Sequence, residues 1–186
     1  MSWAVWRHPL PRDVAGRCIG HTDVAVDRRK AKRLAHRVRQ WARRHRAPRV
    51  VCTSPLRRAA DVGRWLARWG WEHRIDPRLS ELDFGRWDGH PWHDIGAPAI
   101  DAWCADFSHH APGGGETVAA LLGRCAAVLA ETPCCVVTHA GWISAACWLH
   151  DHRVGEPSAA QWPAAVAYGE LRSWSDPAAS ASSRGD

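Results

Sequence analysis

Apolar residues recur along this chain in two alternating patterns. Short unbroken runs at Trp3 to Arg7 (WAVWR), Arg49 to Thr53 (RVVCT) and Cys134 to Thr138 (CCVVT) read as strands buried on both faces. Between them, apolar positions return every three or four residues, the spacing of one helix face. One such stripe is Ala31, Leu34, Ala35, Val38, Trp41 and Ala42, in a helix from about Arg28 to Arg44. A second is Ala59, Val62, Leu66 and Trp69, entered through a Ser54-Pro55 turn. A third is Val118, Leu121, Leu122, Cys125, Val128 and Leu129, and Ile143 to His150 also reads as helical. Glu72 to Ile75 and Val166 to Trp174 are candidates for two further strands.

The intervals between these elements are irregular. Pro9 to Asp23 carries Pro9, Pro11, Gly16 and Gly20 and is expected to be a loop. Leu79 to Gly89 (LSELDFGRWDG) is expected to loop over the sheet, and residues 90–116, rich in Pro, Gly, His and Trp, to form an excursion covering one side of a pocket. Residues 176–186 (DPAASASSRGD) read as a disordered tail. Strand and helix in alternation imply an α/β fold, a three-layer α/β/α sandwich around a mostly parallel sheet. We expect one domain over residues 1–175. In such folds ligands bind at the carboxyl ends of the strands.

Composition adds three constraints. No apolar run approaches the ~20 residues that span a bilayer, and the N-terminus lacks the layout of a secretory signal, so a soluble cytoplasmic protein is expected. The seven cysteines show no Cys-x-x-Cys spacing, which suggests reduced thiols and no zinc site. The net charge of +6 is uneven, because residues 28–49 hold eleven Lys or Arg and no acid. Those cations alternate with the apolar stripe, so they are read as a solvated helix face and no nucleic-acid partner is expected. Thirteen Trp against two Phe and one Tyr are assigned to core or pocket wall, with no specific reason for the excess.

Three predicted strands end beside chemically useful groups: Arg7-His8, Ser54 to Arg57, and His139. If those ends lie side by side, two guanidiniums and two imidazoles converge. Planar guanidiniums such as Arg7 and Arg57 match the oxygens of a phosphate monoester bidentately. A neutral imidazole, His8, can then attack phosphorus in line, while His139 donates hydrogen bonds to the equatorial oxygens. No metal or other cofactor is required by this chemistry. A carboxyl beside a dianion retains its proton more readily and can protonate a leaving alkoxide. Glu81 is the candidate for that role, with Asp83 and Asp88 in reserve. Glu116 has two open readings, a helix N-terminal residue or a pocket residue, and Arg58 is read as a surface or supporting residue.

These residues carry a resemblance. Arg7-His8, Ser54-Pro55-Leu56-Arg57-Arg58-Ala59, Glu81 followed by Leu82-Asp83-Phe84-Gly85-Arg86-Trp87-Asp88-Gly89, Gly114-Gly115-Glu116-Thr117, and Thr138-His139-Ala140-Gly141 resemble, in order and spacing, the phosphoglycerate-mutase-like branch of the histidine phosphatase superfamily. The likeness runs from about residue 3 to 150. It implies that Arg7, His8, Arg57 and His139 form the phosphate pocket, with His8 the phosphorylated residue and Glu81 the proton donor. Arg17, Glu116 and Ala140, within matching segments, join Arg7, Arg57 and His139 as candidates for holding the substrate. Within the family the chain is most similar to the alpha-ribazole phosphatase group, through its short length, Gly16 to Asp23 and Leu82 to Gly89. That implies removal of the 5′-phosphate of alpha-ribazole phosphate during cobalamin assembly. Pro9 stands where the family usually has Gly, which removes a backbone N–H near the phosphate.

Four other readings stay open. Within the family they are phosphoglycerate mutation and a broad-specificity small-molecule phosphatase. Cys52 to Arg58 also fits the Cys-x5-Arg loop of cysteine-dependent phosphatases, although Pro55 interrupts it and both histidines would be idle. A catalytically inactive relative binding a phosphorylated or nucleic-acid ligand through the basic helix would keep the same arginines.

Overall fold

A computed structural model describes residues 2–131, 135–152 and 155–175. The start of the run at Cys134 and the tail expected over 176–186 lie outside the described residues. Five strands, β1 (Ser2–Arg7), β2 (Val50–Thr53), β3 (Glu72–Ile75), β4 (Cys135–Thr138) and β5 (Leu171–Ser175), form one sheet in the order β3-β2-β4-β1-β5. Strands β1 to β4 run parallel and β5 pairs antiparallel with β1. The mostly parallel α/β fold is therefore the observed one.

Six helices accompany the sheet: α1 (Arg28–Arg44), α2 (Arg57–Ala67), α3 (Trp92–Ile95), α4 (Ala97–Ala105), α5 (Val118–Leu129) and α6 (Ala140–His152). The twofold alternation of strand side chains divides the core into two layers. Ala4, Trp6, Val51, Cys135 and Val137 face one way and pack on Leu34 and Val38 of α1 and Val62 and Leu66 of α2. Trp3, Val5 and Val136 face the other way, against Leu121 and Val128 of α5 and Trp142 and Ile143 of α6.

Each long helix follows from its sequence. In α1 the side chain of Asp27 accepts from the Arg29 N–H, and Ala31, Leu34, Ala35, Val38 and Ala42 are buried. In α5 Thr117 caps Ala120 in the same manner. The excursion over 90–116 does contain helices, α3 and α4, but neither buries a residue fully. Half-exposed helices separated by Gly96, at φ +83°, leave no apolar stripe for periodicity to detect.

The basic face of α1 explains part of the tryptophan excess. Arg28, Lys32 and Arg68 lie over the Trp65 ring at 5.1, 5.1 and 4.9 Å, and Arg39 lies 4.8 Å over Trp69. Indole faces thus take up cations that have few carboxylates to pair with. Trp6, buried in the centre of the sheet, meets Trp41 edge to face at 5.6 Å. Trp6→Ala should cost about 3–5 kcal/mol, read as a lowered urea midpoint.

Candidate phosphate site

The register of the central strands brings the chemistry together. Arg7 of β1 is opposite Thr138 of β4, and the His8 N–H donates to the Thr138 carbonyl at 2.9 Å. The next residue on each parallel strand, His8 and His139, therefore emerges at the same carboxyl edge. Their rings lie 5.1 Å apart, at 5% and 0% exposure, so both imidazoles are shielded from bulk water.

Hydrogen-bond partners fix both tautomers. The Pro9 carbonyl can only accept, so the contact from His8 Nδ1 at 2.8 Å places a proton on Nδ1 and leaves a lone pair on Nε2. Arg58 Nε can only donate, and it does so to His139 Nδ1 at 3.2 Å. His139 therefore carries its proton on Nε2, which meets Ser54 Oγ at 2.7 Å. One ring thus presents a lone pair at Nε2 and the other a proton at Nε2.

Burial, then the positive charge of Arg58, lowers the pKa of both imidazoles well below the usual histidine value, with Arg7 adding to the effect at His8. Both are neutral at physiological pH.

Two guanidiniums flank the rings, but one is not the expected residue. Arg7 Nη1 donates to the Val166 carbonyl at 2.7 Å, and the guanidinium lies 3.7 Å over the Tyr168 ring. Its Nε is buried with no partner among the described residues, a donor open to an anion. Arg57 is exposed at the start of α2, and its backbone N–H donates to Asp23. Arg58 takes the place expected for Arg57: it is 1% exposed and donates to His139, Thr22 and Gly20. Successive helix residues differ by about 100° in direction, so only one of the adjacent pair can face the strand ends. Of its five N–H groups these contacts use three.

Glu81 is 8% exposed and borders the cavity beside His139. Its Oε1 accepts from the Leu82 N–H at 3.0 Å and its Oε2 from Gly141 at 3.1 Å. A Cβ on residue 141 would press on Glu81 Oε1, so a larger residue there would displace the carboxyl. The loop bearing Glu81 is pinned from below. Arg124 donates to the carbonyls of Arg78, Ser80 and Glu81, Thr138 Oγ1 donates to Leu79, and Trp142 Nε1 donates to Arg78.

The remaining candidates divide. Arg17 and Ala140 line the cavity, and Arg17 also donates to the Gly89 carbonyl. Glu116 does not line it. Its carboxylate makes a two-pronged pair with Arg124, at 2.7 and 2.8 Å, and Thr117 supplies the helix cap, so Glu116 supports the Glu81 loop from behind. Asp88 accepts from Gly20, His21 and both the backbone and hydroxyl of Thr22. Burial pushes its pKa up, but those donors outweigh it and the net shift is downward, which makes Asp88 a poor acid. Asp83 is engaged by the Gly85 N–H. Cys52 lies within β2 and packs with the layer of α5 and α6. Tyr168 and Arg124 have no counterpart in the sequence reading. Among the described residues no group of three or more His, Cys, Asp or Glu is placed to hold a metal ion, and no helix is long and apolar enough to cross a membrane.

A cavity of about 330 Å³ adjoins this site through Arg7, Glu81, Ala140 and Gly141. Its walls include Phe84, Trp92, Trp103, Phe107, Trp162 and Tyr168.

Two outcomes follow from this geometry. Arg58→Ala should lower turnover by ~10²–10³, the loss expected for one preorganised donor, while Arg57→Ala keeps near wild-type rates in the same assay. Stability should also depend on pH. The unfolded chain titrates these imidazoles near 6.5, the fold far lower, so their contribution is complete above 6.5 and is lost as pH falls toward the folded-state values. Urea midpoints measured from about pH 8 to about pH 5.5 should fall, and His139→Gln should flatten that fall.

The family model described as "Histidine phosphatase superfamily (branch 1)" matches residues 4–171. Among solved structures, a mycobacterial glucosyl-3-phosphoglycerate phosphatase in complex with VO3 is similar over 94% of this chain and 90% of its own, at 25% identity and TM-score 0.75. A protein described as mycobacterial hydrolase 2 is 29% identical over 79% of this chain and 70% of its own, with TM-score 0.63. The alpha-ribazole phosphatase of Shigella flexneri shares the fold at TM-score 0.73, covering 93% and 89% of the two chains at 24% identity. No curated protein sequence matches. With a family match over nearly its whole length, and paired histidines at adjacent strand ends, the chain belongs to the histidine phosphatase superfamily, branch 1.

Proposed function

We propose that the protein hydrolyses a small phosphomonoester through a phosphohistidine on His8, and that the ester is alpha-ribazole 5′-phosphate. One observation carries the chemistry: a neutral His8 with a free Nε2 lone pair faces a site flanked by Arg7 and Arg58. The substrate assignment rests on the motif resemblance, with Leu82 to Gly89 and Gly16 to Asp23 as its supports.

The phosphoryl oxygens bond to Arg7, Arg58 and the Nε2–H of His139, which exchanges Ser54 for the substrate. His8 Nε2 attacks phosphorus as the P–O bond to the alcohol breaks. The leaving oxygen takes a proton from Glu81, whose two oxygens already have one backbone donor each and whose orientation is therefore fixed. In the second half, Glu81 removes a proton from water as it attacks phosphorus, the P–N bond breaks, and phosphate and free His8 are regenerated.

Glu81→Gln should slow esters with alkoxide leaving groups by ~10²–10⁴ while affecting p-nitrophenyl phosphate far less, because nitrophenolate departs without a proton. Equal losses on both substrates would remove Glu81 from the acid role. A phosphomonoester panel with wild type and His8→Ala tests the substrate: phosphate release from alpha-ribazole phosphate well above that from 3-phosphoglycerate supports it, and the reverse order overturns it.

A further inference from the structure

We infer that the cavity beside the phosphate site is a leaving-group subsite built for a flat apolar ring. Phe84, Trp103 and Trp162 would set the substrate class, phosphate esters of alcohols that bear an aromatic ring. This rests on the phosphatase reading above and deepens it.

The cavity of about 330 Å³ is far larger than a phosphate group needs and lies within the range of small-ligand pockets. Arg7, Glu81, Ala140 and Gly141 form its chemical end, so an alcohol released at Glu81 lies in the remainder. That remainder is aromatic. Phe84 meets Trp92 and Trp103 edge to face at 5.9 Å each, Trp103 meets Phe107 at 5.3 Å, and Phe107 meets Trp162 at 5.4 Å. A chain of contacting rings holds its own shape and offers apolar surface to a ligand. Of the lining residues only Arg7, Arg17 and Glu81 are charged, and Arg7 is committed to phosphate. An acidic alcohol would set its carboxylate against Glu81, and a polar group placed deep among the rings would find few partners beyond Arg17. A ring loses only water. Removing a bicyclic ring from solvent favours its ester by on the order of 10²-fold.

The elements that supply the walls agree with this division. Arg58 and the histidines come from a helix start and strand ends, and Glu81 from the loop after β3, whereas Trp92 and Trp103 come from α3 and α4 in the excursion, and Trp162 from the segment after α6. The ring subsite is thus separable from the phosphate site by substitution.

The test compares 2-naphthylmethyl phosphate with glycerol 3-phosphate. Both release alkoxides, so the comparison isolates the group in the cavity from the difficulty of bond breaking. For wild type, kcat/KM on the naphthylmethyl ester should exceed that on glycerol 3-phosphate by about 10²-fold, carried mainly by KM. Trp103→Ala and Trp162→Ala should each reduce that ratio about tenfold. Because both substrates are assayed on one preparation, any loss of folded protein cancels from the ratio. Equal kcat/KM on the two esters, or a ratio untouched in both variants, overturns the inference.

A binding measurement separates the two readings. Calorimetric titration with 2-naphthylmethylphosphonate, which cannot be hydrolysed, should give saturable binding displaced by inorganic phosphate and weakened about tenfold by Trp162→Ala. If no ester is turned over, the phosphatase reading fails while this titration still decides the subsite. Absence of saturable binding, or binding no tighter than methylphosphonate, rejects the subsite even if the chain is an active phosphatase.

Discussion

A buried guanidinium, a half-buried one and two buried imidazoles can share one small volume only if the imidazoles stay neutral. Coulomb repulsion from Arg58 and the loss of hydration both act in that direction, and each ring has a partner that dictates where its single proton sits. Neutral rings leave Arg7 and Arg58 as the cations of the site, an arrangement suited to an anionic group. In the proposed reaction a phosphoryl group would act there much as a counter-ion does. The cost is borne by the surrounding structure: β1 and β4 are locked in parallel register, and Thr22 and Gly20 hold the far side of Arg58 through their carbonyls.

That electrostatic arrangement determines what the rest of the chain must do. The Glu81 loop brings its carboxyl close enough to act electrostatically on Arg58. Backbone donors from Leu82 and Gly141 hold the carboxyl in place, while the Arg124–Glu116 pair grips the carbonyls on the other side of the loop. An ion pair at 18% exposure on each side is a modest contributor to stability, yet it sets the geometry of a loop that has no regular structure of its own. The division between chemistry and recognition follows. Strand ends give rigid positions for reacting groups, and short helices of the excursion give walls whose identity can vary without disturbing them.

Much of this was readable from the sequence, and the failures have physical reasons. Unbroken apolar runs ending in Arg7-His8 and His139 identified strands and the residues they deliver, because a buried parallel strand leaves no other place for polar groups than its end. Arg57 and Arg58 differ only in helical phase, and a cation pair at a strand-to-helix turn does not reveal which member points inward. Tyr168 reaches Arg7 and His8 from a segment about 160 residues away, a contact that no local pattern encodes. Glu116 stood near a helix start, so a capping role was the natural alternative; its actual partner, Arg124, lies two turns further along α5. The tryptophans divided between core, cavity wall and a sheath for the arginines of α1, a distribution that depends on which helix faces meet.

The sheet order has a consequence for how the chain is made. Of the five described strands β1 is made before the others, and it ends up between β4 and β5, the latest of the five. Its WAVW run therefore emerges with none of its eventual neighbours yet synthesised, and must wait more than a hundred residues for each of them. During that interval an adhesive, unpaired strand is exposed to other nascent chains, which marks the N-terminal segment as the part of this protein most in need of chaperone shielding.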